Sequence, residues 1–125
     1  MTAVFKAEAA FRAQVQTVRT ARDQEYDALA RVTRRLRMAS QTRDQDFRQF
    51  AAAVHDNQRL WITFAVDVAD PQNGLPAALR ARILSLADFT RQHSGRILHD
   101  GASVGPLVDI NTAVMRGLSG AGAPR

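Results

Sequence analysis

Apolar residues recur along this chain at steps of three and four, the spacing that lines side chains along one face of an α-helix. Val4, Ala7, Phe11, Val15 and Val18 form the first such stripe and predict a helix over residues 3–18. Thr20, placed ahead of Asp23 at capping-box spacing, reads as an N-cap. It would open a second helix that runs to about Ser40, with Tyr26, Leu29, Val32, Leu36 and Ala39 facing inward. The polar run from Gln41 to Gln45 interrupts the pattern, and Thr42 with Gln45 repeats the capping spacing, so a third helix is expected to start there. Phe47, Phe50, Val54, Asn57, Trp61, Phe64 and Val68 then alternate at three and four with a single polar member, Asn57. Leu60, Ile62 and Val66 widen the apolar surface around Trp61, which predicts that this half of the helix is packed on more than one side, near the centre of a bundle.

Asp70-Pro71 ends that helix, because proline disfavours helical geometry in the residue before it, and Asn73-Gly74 supplies a turn. Pro76 is tolerated in a first helical turn and opens a fourth helix, whose inward stripe is Leu79, Ile83, Leu86, Thr90, His93 and Ile97 with Phe89 on its flank. Gly95 weakens this helix locally, but Ile97 and Leu98 carry the pattern past it. His99-Asp100-Gly101 reads as a stop, and Ser103 or Gly105 before Pro106 as a restart into a short fifth helix with Leu107, Ile110, Val114 and Leu118 on its apolar face and Asn111 beside it. Residues 119–125 are rich in small residues, glycine and proline, and are expected to form a disordered tail to a single helical domain spanning 1–118. No segment alternates long enough to make a strand, so the fold class is all-α, a compact bundle of four to five helices.

Composition narrows the chemistry. The chain has no cysteine, which excludes disulfides, thiol nucleophiles and zinc-thiolate clusters. Lys6, Arg12 and Arg19 interrupt the first twenty residues, which argues against a signal peptide, and the apolar stretch Leu60–Val66 is far shorter than a membrane span. A cytoplasmic location without membrane attachment is therefore expected. The formal net charge is +5, and the excess lies in residues 1–48, which hold ten basic and six acidic groups against seven and six in the remainder. Arg31, Arg34, Arg35 and Arg37 form the one dense basic group, and the first three fall roughly opposite the apolar stripe of their helix. A solvated helix face is the simpler account of that group, and phosphate binding, with salt-sensitive affinity, the sharper one.

Catalytic signatures are missing. His55, His93 and His99 have none of the spacings of a zinc site, the glycines do not form a phosphate loop, and Asp44 and Asp46 sit where negative charge suits a helix start. No catalytic residue, metal ligand or cofactor site is assigned, and no enzyme activity is expected. His93, on an apolar stripe, reads as a hydrogen-bonded core or groove residue.

Three blocks in fixed order carry a family resemblance. They are LWITFAVDVADPQNGLP from Leu60 to Pro76, LRARILSLADFTRQHS from Leu79 to Ser94, and LVDINTAVMRGL from Leu107 to Leu118. Together with Glu25-Tyr26 and the run Arg31-Val32-Thr33-Arg34-Arg35-Leu36, they resemble the flagellar biosynthesis regulator FlaF family over about residues 3–118. Gly95 and Gly105 depart from the helix-favouring residues expected at their positions.

The resemblance implies a regulator of flagellum assembly that acts on flagellin, as an export chaperone or by promoting its synthesis, alongside a second regulator, FlbT, that acts on flagellin messenger RNA. On that footing, a groove able to hold an amphipathic segment of flagellin is expected to involve Trp61, Phe64, Leu86 and Phe89 with Ile110, Val114 and Leu118, although core is the simpler account of the aromatic stripe and each of the others could be core as well. The alternative is RNA binding through Arg31, Arg34, Arg35 and Arg37.

Overall fold

A computed structural model describes residues 2–119; Met1 and residues 120–125, with most of the expected tail, lie outside the described residues. Four helices form: α1 (Thr2–Gln41), α2 (Phe47–Ala69), α3 (Ala77–Asp100) and α4 (Gly105–Ser119). The all-α bundle of four to five helices is thus what the chain adopts, with the expected first and second helices fused into one.

That fusion corrects the break placed at Thr20. Between Thr2 and Gln41 there is neither glycine nor proline, so nothing stops a helix ahead of Thr20, and a capping pattern without a preceding stop is simply read through. Of the expected first stripe, Val4, Phe11, Val15 and Val18 have side chains outside the described ones, and Ala7 is exposed. The resulting α1 is about 60 Å long at 1.5 Å per residue, against about 35 Å for α2. Among its described side chains the buried ones, Leu29, Val32, Thr33, Leu36 and Ala39, belong to the C-terminal part, while Lys6, Glu8, Arg12, Arg22, Asp23 and Gln24 are exposed.

The turns follow the local chemistry, with one shift. The cap of α2 is Asp46 rather than Thr42: its carboxylate accepts from the Gln49 N–H at 3.1 Å, while its own N–H donates to the Thr42 carbonyl at 2.9 Å. Asp70 takes the extended conformation that Pro71 demands (φ −67°, ψ 127°). Its side chain accepts from Gln72 N–H at 2.9 Å, the Asn73 amide donates to the Asp67 carbonyl at 3.1 Å, and the Asn73 carbonyl oxygen accepts from Leu75 N–H at 3.0 Å. Pro76 is the N-cap of α3, one position before the first turn. Gly101 ends α3 in the left-handed region at φ 73°, with the Ala102 N–H reaching back to the Arg96 carbonyl at 3.2 Å. Ser103 accepts from Gly105 N–H at 3.0 Å to start α4.

Helix α2 packs along both α1 and α3, and α4 packs along α1, whereas α3 and α4 barely touch. The apolar core is built at one end, from Leu36 and Ala39 of α1, Phe50, Ala53 and Val54 of α2, Ile97 of α3, and Leu107 and Val108 of α4. Arg43 closes that end. Its guanidinium donates to the carbonyls of Ala102 at 3.0 Å and Ile97 at 2.5 Å and lies 4.5 Å from the centre of the Phe50 ring. A cation placed on carbonyls at the end of α3 offsets the negative pole of the helix dipole.

Candidate functional site

Above the apolar core the bundle is held by a polar network. Asn111 of α4 is fully buried; its side-chain oxygen accepts from the Trp61 indole N–H at 2.8 Å, and its amide donates to Asn57 at 2.7 Å and to the Thr33 hydroxyl at 3.1 Å. Thr33 in turn donates to the Leu29 carbonyl at 2.6 Å. One side chain therefore ties α4 to α1 and α2 and fixes the orientation of Trp61. In a site closed to water each of these bonds is costly to lose.

Trp61 is 1% exposed, so it stands behind the surface and supports Phe64, with which it makes an edge-to-face contact at 5.3 Å between ring centres. Phe64 itself is half-buried. Beyond it the packing thins. From Ala77 to Phe89 not one residue of α3 is buried, although this stretch carries Leu79, Ile83, Leu84, Leu86 and Phe89. Leu86 and Ile83 are half-buried, and Leu79, Leu84 and Phe89 are exposed, Phe89 by 42%.

On α2, Ile62 and Val66 are exposed by 51% and 67%, so the widening of the apolar surface that they make around Trp61 is not covered, although the helix does pack on both α1 and α3. The physical reason is that α1 and α3 cover the stripe through Asn57, Trp61 and Val68, and no further helix covers the flank. On α4, Ile110, Val114 and Leu118 are each half-buried. Of the residues expected to form a groove, six thus retain solvent exposure and one, Trp61, serves as their backing.

His93 is a structural latch. Its Nε2 donates to the Ser103 carbonyl at 2.8 Å and its ring stacks on Phe89 at 5.4 Å, holding α3 to the loop before α4. His55 and His99 are exposed, and among the described residues no group of three or more His, Asp or Glu side chains is placed to hold a metal ion.

The second region lies at the opposite end of α2, about 25 Å away along the helix axis at 1.5 Å per residue. An open cleft of about 470 Å³ is lined by Arg31, Arg34, Arg35, Met38, Ala39, Gln41 and Thr42 at the end of α1 and by Gln49 at the start of α2. Arg31, Arg34 and Arg35 are exposed, as the sequence pattern required; Arg37 is exposed as well but does not line the cleft. Arg35 is paired with Asp56. Sequence reasoning missed Met38, which is 63% exposed and follows the arginines by one helical turn.

Among the described residues, one shows a perturbed proton affinity. Half-buried Glu25 has its pKa raised above 4.5, first by desolvation and then by the charge of Asp67, with Arg22 opposing.

No described helix is long and apolar enough to cross a membrane. Neither the curated proteins nor the solved structures contain a match to the chain. The family model for the flagellar protein FlaF, however, matches residues 7–118, which takes in the basic part of α1, the Asp70–Pro76 turn, all of α3 and nearly all of α4. The chain belongs to the FlaF family of flagellar proteins.

Proposed function

We propose that this FlaF protein acts in the cytoplasm as an export chaperone for flagellin, holding an amphipathic flagellin segment against the uncovered apolar surface of α2, α3 and α4 and so promoting flagellin production or secretion. Family membership makes the chain a flagellar protein rather than an enzyme. The observation that carries the chaperone reading is the first half of α3, thirteen residues from Ala77 to Phe89 with five large apolar side chains and none buried. A helix in a bundle ordinarily hides such a stripe, and an uncovered one fits the helix-in-groove mode of recognition. Phe64, Leu86 and Phe89 supply contact area on α2 and α3, Ile110, Val114 and Leu118 on α4, and buried Trp61 keeps Phe64 in place.

The test is mixing of the purified protein with a flagellin terminal peptide while helix content is followed by circular dichroism. The expected result is more helix than the sum of the two parts, lost in Leu86→Asp/Phe89→Asp, whose own helix content is unchanged. A spectrum equal to the sum would overturn the reading. The alternative, post-transcriptional control of flagellin messenger RNA together with FlbT, would draw on Arg31, Arg34, Arg35 and Arg37. It has less support, because no aromatic side chain lines the arginine cleft to stack on a base.

A further inference from the structure

We infer that the arginine cleft is a second docking site, distinct from the apolar surface, and that its occupant is an acidic amphipathic segment of another protein. Arg31 stands three and four positions before Arg34 and Arg35, so the three guanidinium groups share one helix face. Like charges at these spacings repel one another, and two carboxylates answer them only in part: Asp56, paired with Arg35, and Asp27, one helical turn before Arg31. Arg31 and Arg34 have no hydrogen bond or ion pair among the described residues. The unfavourable charge is therefore left standing in the free protein, and a ligand bearing carboxylates one helical turn apart would relieve it with forked, charge-assisted hydrogen bonds.

The cleft is not uniformly polar. Exposed Met38 and buried Ala39 form part of its wall, and Gln41, Thr42 and Gln49 add neutral donors and acceptors. Methionine is flexible and polarizable, and it adapts to the shape of an apolar side chain from a partner. Basic groups beside an apolar spot complement a segment that alternates acidic and apolar residues on one face. A nucleic acid strand fits less well, since the lining offers no aromatic ring for stacking and the free arginines span only about one helical turn.

The experiment uses the full chain and a fluorescein-labelled peptide of about 16 residues, long enough to fold as a helix on binding, with Glu and Leu one turn apart. Two further probes carry the same charge: the peptide with each Leu replaced by Ala, and an oligouridylate. Fluorescence anisotropy at low salt is expected to show the Glu/Leu peptide binding most tightly. Arg31→Gln/Arg34→Gln should weaken it roughly tenfold or more, the loss of at least one charge-assisted hydrogen bond. Met38→Gln should weaken the Glu/Leu peptide several-fold and leave the Glu/Ala peptide unchanged. All three side chains are exposed, so the variants should keep the helix content of the parent.

The inference is overturned if the Glu/Leu peptide does not bind, or binds equally to Arg31→Gln/Arg34→Gln. It is also overturned if the oligouridylate binds more tightly than the peptide and loses affinity in that variant, which would assign the cleft to RNA. Because the flagellin peptide is expected to bind Arg31→Gln/Arg34→Gln as it binds the parent, failure here and failure of the chaperone reading are separate results.

Discussion

Replacing Asn111 with leucine, the apolar residue nearest to it in branching, tests how much of the bundle depends on one buried amide. Asn111 is 0% exposed and makes three side-chain hydrogen bonds, from Trp61 at 2.8 Å, to Asn57 at 2.7 Å and to Thr33 at 3.1 Å. The substitution strands the Trp61 indole N–H and the Asn57 side-chain oxygen away from water, and each buried unsatisfied group costs about 1–3 kcal/mol. The Asn57 side chain then has no partner among the described residues, since its amide nitrogen is unpaired in the parent protein as well. Thr33 keeps its bond to the Leu29 carbonyl and adds little.

The expected loss is about 2–6 kcal/mol, the sum of two such groups, against a total stability of about 5–15 kcal/mol for a domain. Asn57→Leu is expected to cost much less. It removes an unpaired amide, and Asn111 retains Thr33 and Trp61 as partners. Urea unfolding followed by the fluorescence of the single tryptophan measures both variants, and Trp61 is itself part of the network. An Asn111→Leu unfolding free energy within about 0.5 kcal/mol of the parent, or an Asn57→Leu variant that is the weaker of the two, would refute the reasoning.

Two further outcomes follow from other parts of the molecule. Glu25 has a folded-state pKa raised above 4.5, so the folded protein holds its proton to higher pH than the unfolded chain does, and stability is lost as pH rises from about 4.5 through the folded value. Glu25→Gln should therefore raise the melting temperature at pH 7 and leave it nearly unchanged at pH 4, checked by thermal melts at both. Arg43→Ala removes two hydrogen bonds from a charged donor and a contact with the Phe50 ring, with an expected cost of about 2–4 kcal/mol. Arg43→Lys should restore only part of this in urea unfolding, because an ammonium cannot span both the Ile97 and Ala102 carbonyls as the planar guanidinium does.

The sequence by itself determined the helical class, the turn chemistry from Asp70 to Pro76, the stop at Gly101 and the outward face of Arg31, Arg34 and Arg35. These depend on period, on the φ preferences of proline and glycine and on short side-chain caps, all of which act within a few residues. Its family blocks also sufficed to place the chain among the FlaF proteins.

What the sequence left open depended on which neighbours exist. Thr20 carries the same local signal as a true cap, and the absence of any stop before it, rather than the residue itself, makes α1 continuous. Ile62 and Val66 look as buried as Val54 in a hydropathy pattern, yet only Val54 has helices on its side of α2. Trp61 and Phe64 share one stripe, but the bond from Trp61 to Asn111, across a separation of 50 residues, takes the first inside and leaves the second at the surface. Periodicity states that a side chain is apolar and which way it faces; only tertiary packing decides whether another helix is there to meet it.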